Sequence, residues 1–339
     1  MRKLLPSKPI QITARFDSAE SEESREMGTS VSDQLVFQNI RPQCPRCRAN
    51  IGGLGCRFCG LPMRANNEIV CCLSPDRASH YAHFIEDYAR IRAEEGRGSS
   101  TDDFYLCLPY KDLSGRNNKQ WKIRARSFEH LMKHVLKKNL ALEGARIMDL
   151  GAGNCWLSYR LALARCRPVA VDLITNDHDG LGAAEHFRKH LSTMFPRFQA
   201  ELTRLPFQDQ QFDAAVFNAS FHYSENYAET LREALRCVRS GGMVIISDTP
   251  WYSSEESGRK MVAERDAAFL ARYGTASDHI RSLEFLTDDR LRALEEQLHI
   301  QWTIYSARYG LRWAMRPLVA KLCNRREPSR FRIYVAQKP

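Results

Sequence analysis

Nowhere in the 339 residues does an apolar run approach the ~20 residues that a membrane-spanning helix needs. The start, MRKLLPSKPIQITARF, is basic but has no apolar core behind it, so no secretory signal is expected. Without an export signal, the eleven cysteines point to a reducing compartment, the cytoplasm, where metal binding or burial explains them better than disulfides. A thiol nucleophile is lacking too, since Cys155, Cys166 and Cys237 fall in helical, buried-type surroundings. Hydrophobic content of 43% and charged content of 27% are ordinary for a soluble protein, and the length suits one full α/β domain plus a small module or two.

What is present is organised around residues 145–156, ARIMDLGAGNCW. A short apolar strand ends near Asp149, turns through Gly151 and Gly153, and feeds a helical run from Trp156 to Ala164. Such a turn is a nucleotide-binding device: glycine lets a ligand approach the main chain, and the helix start offers unpaired N–H groups. A second strand, PVAVD, ends in Asp172, 23 residues after Asp149, where a carboxylate can accept from both ribose hydroxyls. Glu201 follows, then strands over Ala214–Asn218 and Met243–Ser247, the latter ending at Asp248. Strands alternating with helices predict a doubly wound, mostly parallel sheet with ligands outside the carboxyl ends of its strands. A Rossmann-like sheet holding NAD would share these features, although G-x-G-x-x-G is broken by Trp156.

In this order and spacing the motifs resemble the class I S-adenosylmethionine-dependent methyltransferases of the type 11 branch, which read D-x-G-x-G, an acid, then L-P-F-x-D-x-x-F-D. The resemblance covers about Ala145 to Leu298 and implies a Rossmann-like, seven-stranded α/β sheet with its last strand antiparallel. It also implies that Asp149, Gly151, Ala152 and Gly153 cradle the methionine part of S-adenosylmethionine, that Asp172 and Leu173 hold the ribose, that Glu201 and Leu202 face the adenine, and that Asn218 lies beside the methyl group. One departure stands out: Cys155 replaces a third glycine common in that family.

Upstream, Cys44, Cys47, Cys56 and Cys59 form two C-x-x-C turns, which can close a tetrahedral sulfur cage around a structural Zn²⁺. Residues 1–40 read as a disordered acidic, serine-rich leader, with Met27 an alternative start; 41–75 as the zinc ribbon; 76–140 as a helical linker and cofactor lid; and 141–339 as the methyltransferase domain. Within the linker, FYLCLPY suggests extended chain, and 120–140 a helix offering Trp121 and Arg124 to the lid. Insertions over 250–283 and 310–325 are expected to wall the substrate pocket.

Methyl transfer from a sulfonium is an in-line displacement, so the protein chiefly aligns the reactants and excludes water. Where the acceptor must lose a proton, His222, Tyr223, Asp248 and Tyr252 stand at strand ends, with His222 and Tyr223 the catalytic candidates. Three functions follow. The first is methyl transfer to a small-molecule or lipid-like acceptor. The second is methylation of RNA, gripped by the ribbon and two basic segments: 111–138, with nine Lys/Arg against Asp112 and Glu129, and 309–332, with seven against Glu327. Neither segment interleaves aromatics as a stacking platform would. The third is a non-catalytic binding module.

Overall fold

The computed structural model describes residues 40–51 and 55–339, so the expected leader, apart from Ile40, and Met27 lie outside the described residues. A hairpin comes first, β1 (Arg64–Asn66) and β2 (Ile69–Cys71), followed by helices α1 (Pro75–Glu94), α2 (Asp102–Leu106) and α3 (Asn118–His130). The α/β part then runs β3 (Arg146–Leu150), α4 (Trp156–Leu163), β4 (Arg167–Asp172), a 3₁₀ stretch (Leu181–His190), β5 (Arg197–Gln199), β6 (Phe212–Asn218), α5 (Tyr227–Cys237) and β7 (Val238–Ser247). It ends with α6 (Glu255–Tyr273), α7 (Asp288–Leu298), β8 (Trp302–Tyr305), α8 (Leu311–Ala314), α9 (Arg316–Leu322) and β9 (Ile333–Gln337).

Among the described residues, all nine strands join one sheet in the order β1-β2-β5-β4-β3-β6-β7-β9-β8, parallel from β2 through β7 and antiparallel at both ends. The class is the expected α/β one. The two strands beyond seven come from the hairpin before α1, where Ile69–Cys71 lies parallel to Arg197–Gln199 and extends the sheet past β5. The central strands are apolar on both faces, as a sheet covered on both sides requires. Met148, Leu150, Val169, Val171, Phe217 and Ile246 pack on one side, and Ile147, Ala170, Val216 and Ile245 on the other.

Two local expectations are corrected. The FYLCLPY stretch does not run extended: Asp102–Leu106 is a helix with two acids in its first turn, which its dipole favours. Aromatic residues suggest strand, but here Tyr105 stacks on His186 at 4.3 Å and is completely buried, so packing overrides local preference. The helix expected over 120–140 is interrupted, because α3 continues as a π turn over Leu131–Leu136 before ending at Asn139.

The sheet order reverses between β3 and β6, because the chain builds outward from β3 through β4 to β5 and then returns to place β6 on the other side. A crevice opens outside the carboxyl ends at such a point. Beyond β7, α6 is drawn against the chain ahead of α7 at Gly258, where an added Cβ would lie 2.2 Å from the Phe285 ring. Gly258→Ala should therefore cost about 1–3 kcal/mol and lower the thermal midpoint by several degrees; an unchanged melting curve would refute this seating of α6.

Candidate active site

The turn after β3 is set by two close approaches. Gly151 has φ 76° and leaves no room for a side chain, since a Cβ there would stand 2.2 Å from that of Ser220 at the end of β6. The Ser220 hydroxyl donates to the Leu150 carbonyl, tying the two strand ends together. Cys155, at the third-glycine position, adopts φ 63°, so this thiol-bearing residue takes up the left-handed conformation at which glycine is favoured. Asp172 fixes the loop from the neighbouring strand: its carboxylate accepts from the Gly153 N–H at 2.7 Å and the Ile174 N–H at 2.8 Å.

These loops floor a cavity of about 200 Å³. Gly151, Ala152, Gly153, Asp172, Leu173, Leu202 and Asn218 all line it. Asp149 and Glu201 do not. Asp149 sits behind the loop, where one oxygen accepts from the Ser158 hydroxyl at 2.7 Å and backbone N–H at 3.1 Å, anchoring α4. Glu201 is engaged by the lining residues, paired with Arg77 at 2.8 Å and accepting from the Tyr81 hydroxyl at 3.3 Å. Burial raises the Asp172 carboxyl to about 6 and the Asp149 carboxyl to about 7.

The roof is α1, which lies in the 76–140 segment expected to be a helical linker and cofactor lid, although the residues offered to that lid are Trp121 and Arg124. Arg77, Tyr81, Phe84, Tyr88 and Arg92 all reach the cavity from one face of it. Their i, i+4, i+7, i+11 and i+15 spacing was the available signal. Arg92 is held by Asp179 at 2.5 Å, and Asp179 in turn accepts from Asn154 of the glycine loop at 3.2 Å. Of the two lid candidates, Arg124 lines the cavity, while Trp121 is buried edge-on to Trp156 at 5.9 Å and serves packing.

A second cavity, about 260 Å³, adjoins the first and shares Phe84, Tyr88, Arg92, Arg124, Ala219 and Tyr223 with it. His222, Tyr223 and Asp248 line it; Tyr252 does not. Here buried polar atoms lack hydrogen-bond partners among the described residues: His222 Nδ1, Asp248 Oδ2 and Arg97 Nη1. The other Asp248 oxygen accepts from Ser127, and burial raises this carboxyl to about 6. Burial and the nearby Arg265 and Arg124 cations hold His222 down at about 3, so the ring is neutral at ordinary pH. Arg124 has no ion-pair partner among the described residues; burial and the Arg97 and Arg92 cations lower it to about 10, which leaves it charged. Such groups are costly when unpaired, and they concentrate where a ligand can satisfy them.

The four cysteines of the C-x-x-C turns lie with all their sulfurs within 4.8 Å, and Cys44–Cys59 and Cys47–Cys56 are each 3.5 Å apart. The two turns repeat one geometry: Cys44 N–H donates to Ala49 and Cys56 N–H to Leu61, with Arg48 at φ 66° and Gly60 at φ 71°. Arg48 also pairs bidentately with Glu233 of α5 at 2.6 and 3.0 Å, pinning this unit to the α/β part.

The family described as "Methyltransferase domain" matches residues 148–246. Demethylmenaquinone methyltransferases of Mycobacterium bovis and Mycobacterium tuberculosis are 28% identical to this chain over 173 residues, half of this chain and 69% of theirs. A solved S-adenosylmethionine-dependent methyltransferase of Thermotoga maritima is 14% identical, covering 77% of this chain and 99% of that one at a TM-score of 0.44. By motif, sheet order and domain match, the chain carries a class I methyltransferase domain, that of S-adenosylmethionine-dependent enzymes.

Asp149 generates a pH prediction. A carboxyl whose folded value, about 7, lies above its ordinary 3.8 binds its proton more tightly when folded, so its burial destabilises the protein progressively as pH rises between those values. Asp149→Asn keeps an oxygen for Ser158 and removes the charge. Urea denaturation should show the variant gaining on the wild type between pH 5 and pH 8, and a difference independent of pH would overturn the assignment.

Proposed function

We propose that the cavity over the glycine loop seats S-adenosylmethionine and that the adjoining cavity seats a small organic methyl acceptor. The observation that carries this reading is the shared wall: the two cavities meet at Ala219 and Tyr223, at the carboxyl end of β6. The fit to the cofactor rests on the cradle at Gly151, which a Cβ would fill, and on the aromatic roof of Tyr81, Phe84 and Tyr88. Gly151, Ala152 and Gly153 would hold the amino-acid end, Asp172 and Leu173 the ribose, Leu202 the adenine, and Asn218 the region of the methyl group. Glu201 acts one step back, positioning Arg77 and Tyr81. When bound, the cofactor supplies an electrophilic methyl on a sulfonium.

The chain's own residues orient the acceptor and receive its proton. Asp248 Oδ2 is the stronger base of the candidates: it is unpartnered, and its raised carboxyl keeps it ionised above about pH 6. His222 contributes a neutral ring nitrogen, and Tyr223, whose hydroxyl burial pushes up, stays protonated and borders both cavities. Arg124 and Arg97 favour an acceptor bearing an anionic or strongly polarised oxygen. The demethylmenaquinone relatives support a ring-sized acceptor, for which a cavity of about 260 Å³ has room.

The sulfur cluster fits Zn²⁺: bonds of about 2.3 Å in a tetrahedron separate sulfurs by about 3.8 Å, close to the two 3.5 Å pairs. With four sulfurs no coordination position remains, so the ion is structural and fastens the two C-x-x-C turns, which meet α5 at Glu233 and the 206–208 loop beside Gln43. Purified protein should carry one zinc per chain by atomic emission, and a strong chelator should lower its thermal midpoint; metal-free protein with an unaltered midpoint would remove the ion from the account.

Two further tests bear on the reaction. Incubation with cofactor labelled at the methyl group and a fractionated host lysate should place label in small extractable molecules, and label confined to RNA would overturn the acceptor class. With the acceptor so identified, kcat/KM should rise through about pH 6, and Asp248→Asn should lower kcat roughly 10²–10⁴-fold while leaving cofactor affinity intact. A variant with an unchanged pH profile would show that Asp248 is not the base.

A further inference from the structure

On the far side of α3 from the cofactor cavity lies a much larger open groove, about 1500 Å³, between that helix with its π-turn extension and the 306–316 segment. Lys119, Lys122, Arg126 and Lys133 line one wall and Arg308, Arg312 and Arg316 the other, with Glu129 the single acid among the lining residues. None of these seven cations takes part in an ion pair among the described residues, whereas Arg77, Arg92, Arg197, Arg236 and Arg290 each meet a carboxylate. Among the described residues, the groove therefore carries an excess of unpaired positive charge.

Along its rim run α8 and α9, separated only by Met315. Leu311, Met315, Leu318, Val319 and Leu322 are 79%, 42%, 50%, 52% and 77% exposed. Their spacing, i, i+4, i+7, i+8 and i+11, gathers them on one helical face, with Arg312 and Arg316 on one flank and Lys321 on the other. Trp313, the aromatic of this stretch, is turned away from the stripe and sandwiched by Arg316 at 3.6 Å and Phe331 at 5.8 Å. An exposed aliphatic stripe beside a bank of unpaired cations is the pattern of a helix that lies in a membrane interface, apolar face inward and charges at the headgroups.

We propose that α8–α9 and the adjoining basic groove dock this protein on the surface of an anionic lipid bilayer. Charge complementarity selects the lipid, and the exposed aliphatic stripe selects a bilayer over a nucleic acid, which would meet the cations and leave the stripe in water. The docking is peripheral: no helix among the described residues is long and apolar enough to cross a membrane. Ile123 lines both the groove and the acceptor cavity, so the docked face lies next to the place where an acceptor would enter. This inference does not depend on methyl transfer and is tested without cofactor.

The full chain is mixed with sucrose-loaded vesicles of phosphatidylcholine, alone or doped with phosphatidylglycerol, and sedimented. Binding is expected only to the anionic vesicles and should weaken as salt rises. Leu311→Asp/Leu318→Asp should lower the partition coefficient at least tenfold. Lys119→Gln/Lys122→Gln/Arg126→Gln should lower it roughly a hundredfold, from about fivefold per cation near an anionic surface. The five side chains altered in these variants border solvent, and the second variant decides the matter should the first fold poorly. Failure to bind anionic vesicles, equal binding to neutral ones, or binding untouched by both variants would overturn the proposal. So would displacement from the vesicles by a short RNA that binds the double-leucine variant as tightly as the wild type.

Discussion

The contact between the Gly151 backbone and Ser220 governs the rest of this architecture. Two strand ends on either side of the sheet's reversal point come together more closely than any side chain at Gly151 would permit, and the serine hydroxyl closes the gap onto Leu150. From that approach follow the left-handed turn, the grip of Asp172 on Gly153, and the direction in which α4 leaves. Asp149 reinforces it from beneath by holding the start of α4, a supporting role in place of the ligand contact that the motif suggests.

Around that junction, paired and unpaired polar groups are sharply partitioned. Arginines that build the frame are matched to carboxylates: Arg77 to Glu201, Arg92 to Asp179, Arg236 to Glu233 and Arg48 to Glu233. The buried atoms left over at the second cavity, on His222, Asp248 and Arg97, would each cost about 1–3 kcal/mol if nothing met them. Their convergence with Arg124 on one small space is the physical basis for locating the acceptor there.

Much of this was legible in the sequence, for reasons that can be named. Strands β3, β4, β6 and β7 are near-continuous apolar runs that end in Asp149, Asp172, Asn218 or Asp248, and buried parallel strands have little other way to look. The two C-x-x-C turns were equally plain, because their spacing is local. Less legible were features that depend on where distant segments meet. Glu201 occupies the expected strand end, yet its carboxylate is claimed by Arg77 and Tyr81, residues more than a hundred positions earlier. The same helix supplies the roof, and nothing in its sequence tells which partner its aromatic face will find. FYLCLPY, 104–110, reads as extended because its aromatic content is high, and only the packing of Tyr105 against His186 decides otherwise.

Charge shows a second division of labour. The basic excess noted in residues 111–138 splits across α3, with Arg124 facing the buried cavities and Lys119, Lys122 and Arg126 facing the open groove. One helix thereby serves two environments. The most direct test of the central claim is a calorimetric titration of S-adenosylmethionine into the wild type and into Gly151→Ala, with circular dichroism to verify folding. The account predicts saturable one-to-one binding to the wild type and at least a hundredfold weaker binding to the folded variant; equal affinity in both would contradict it.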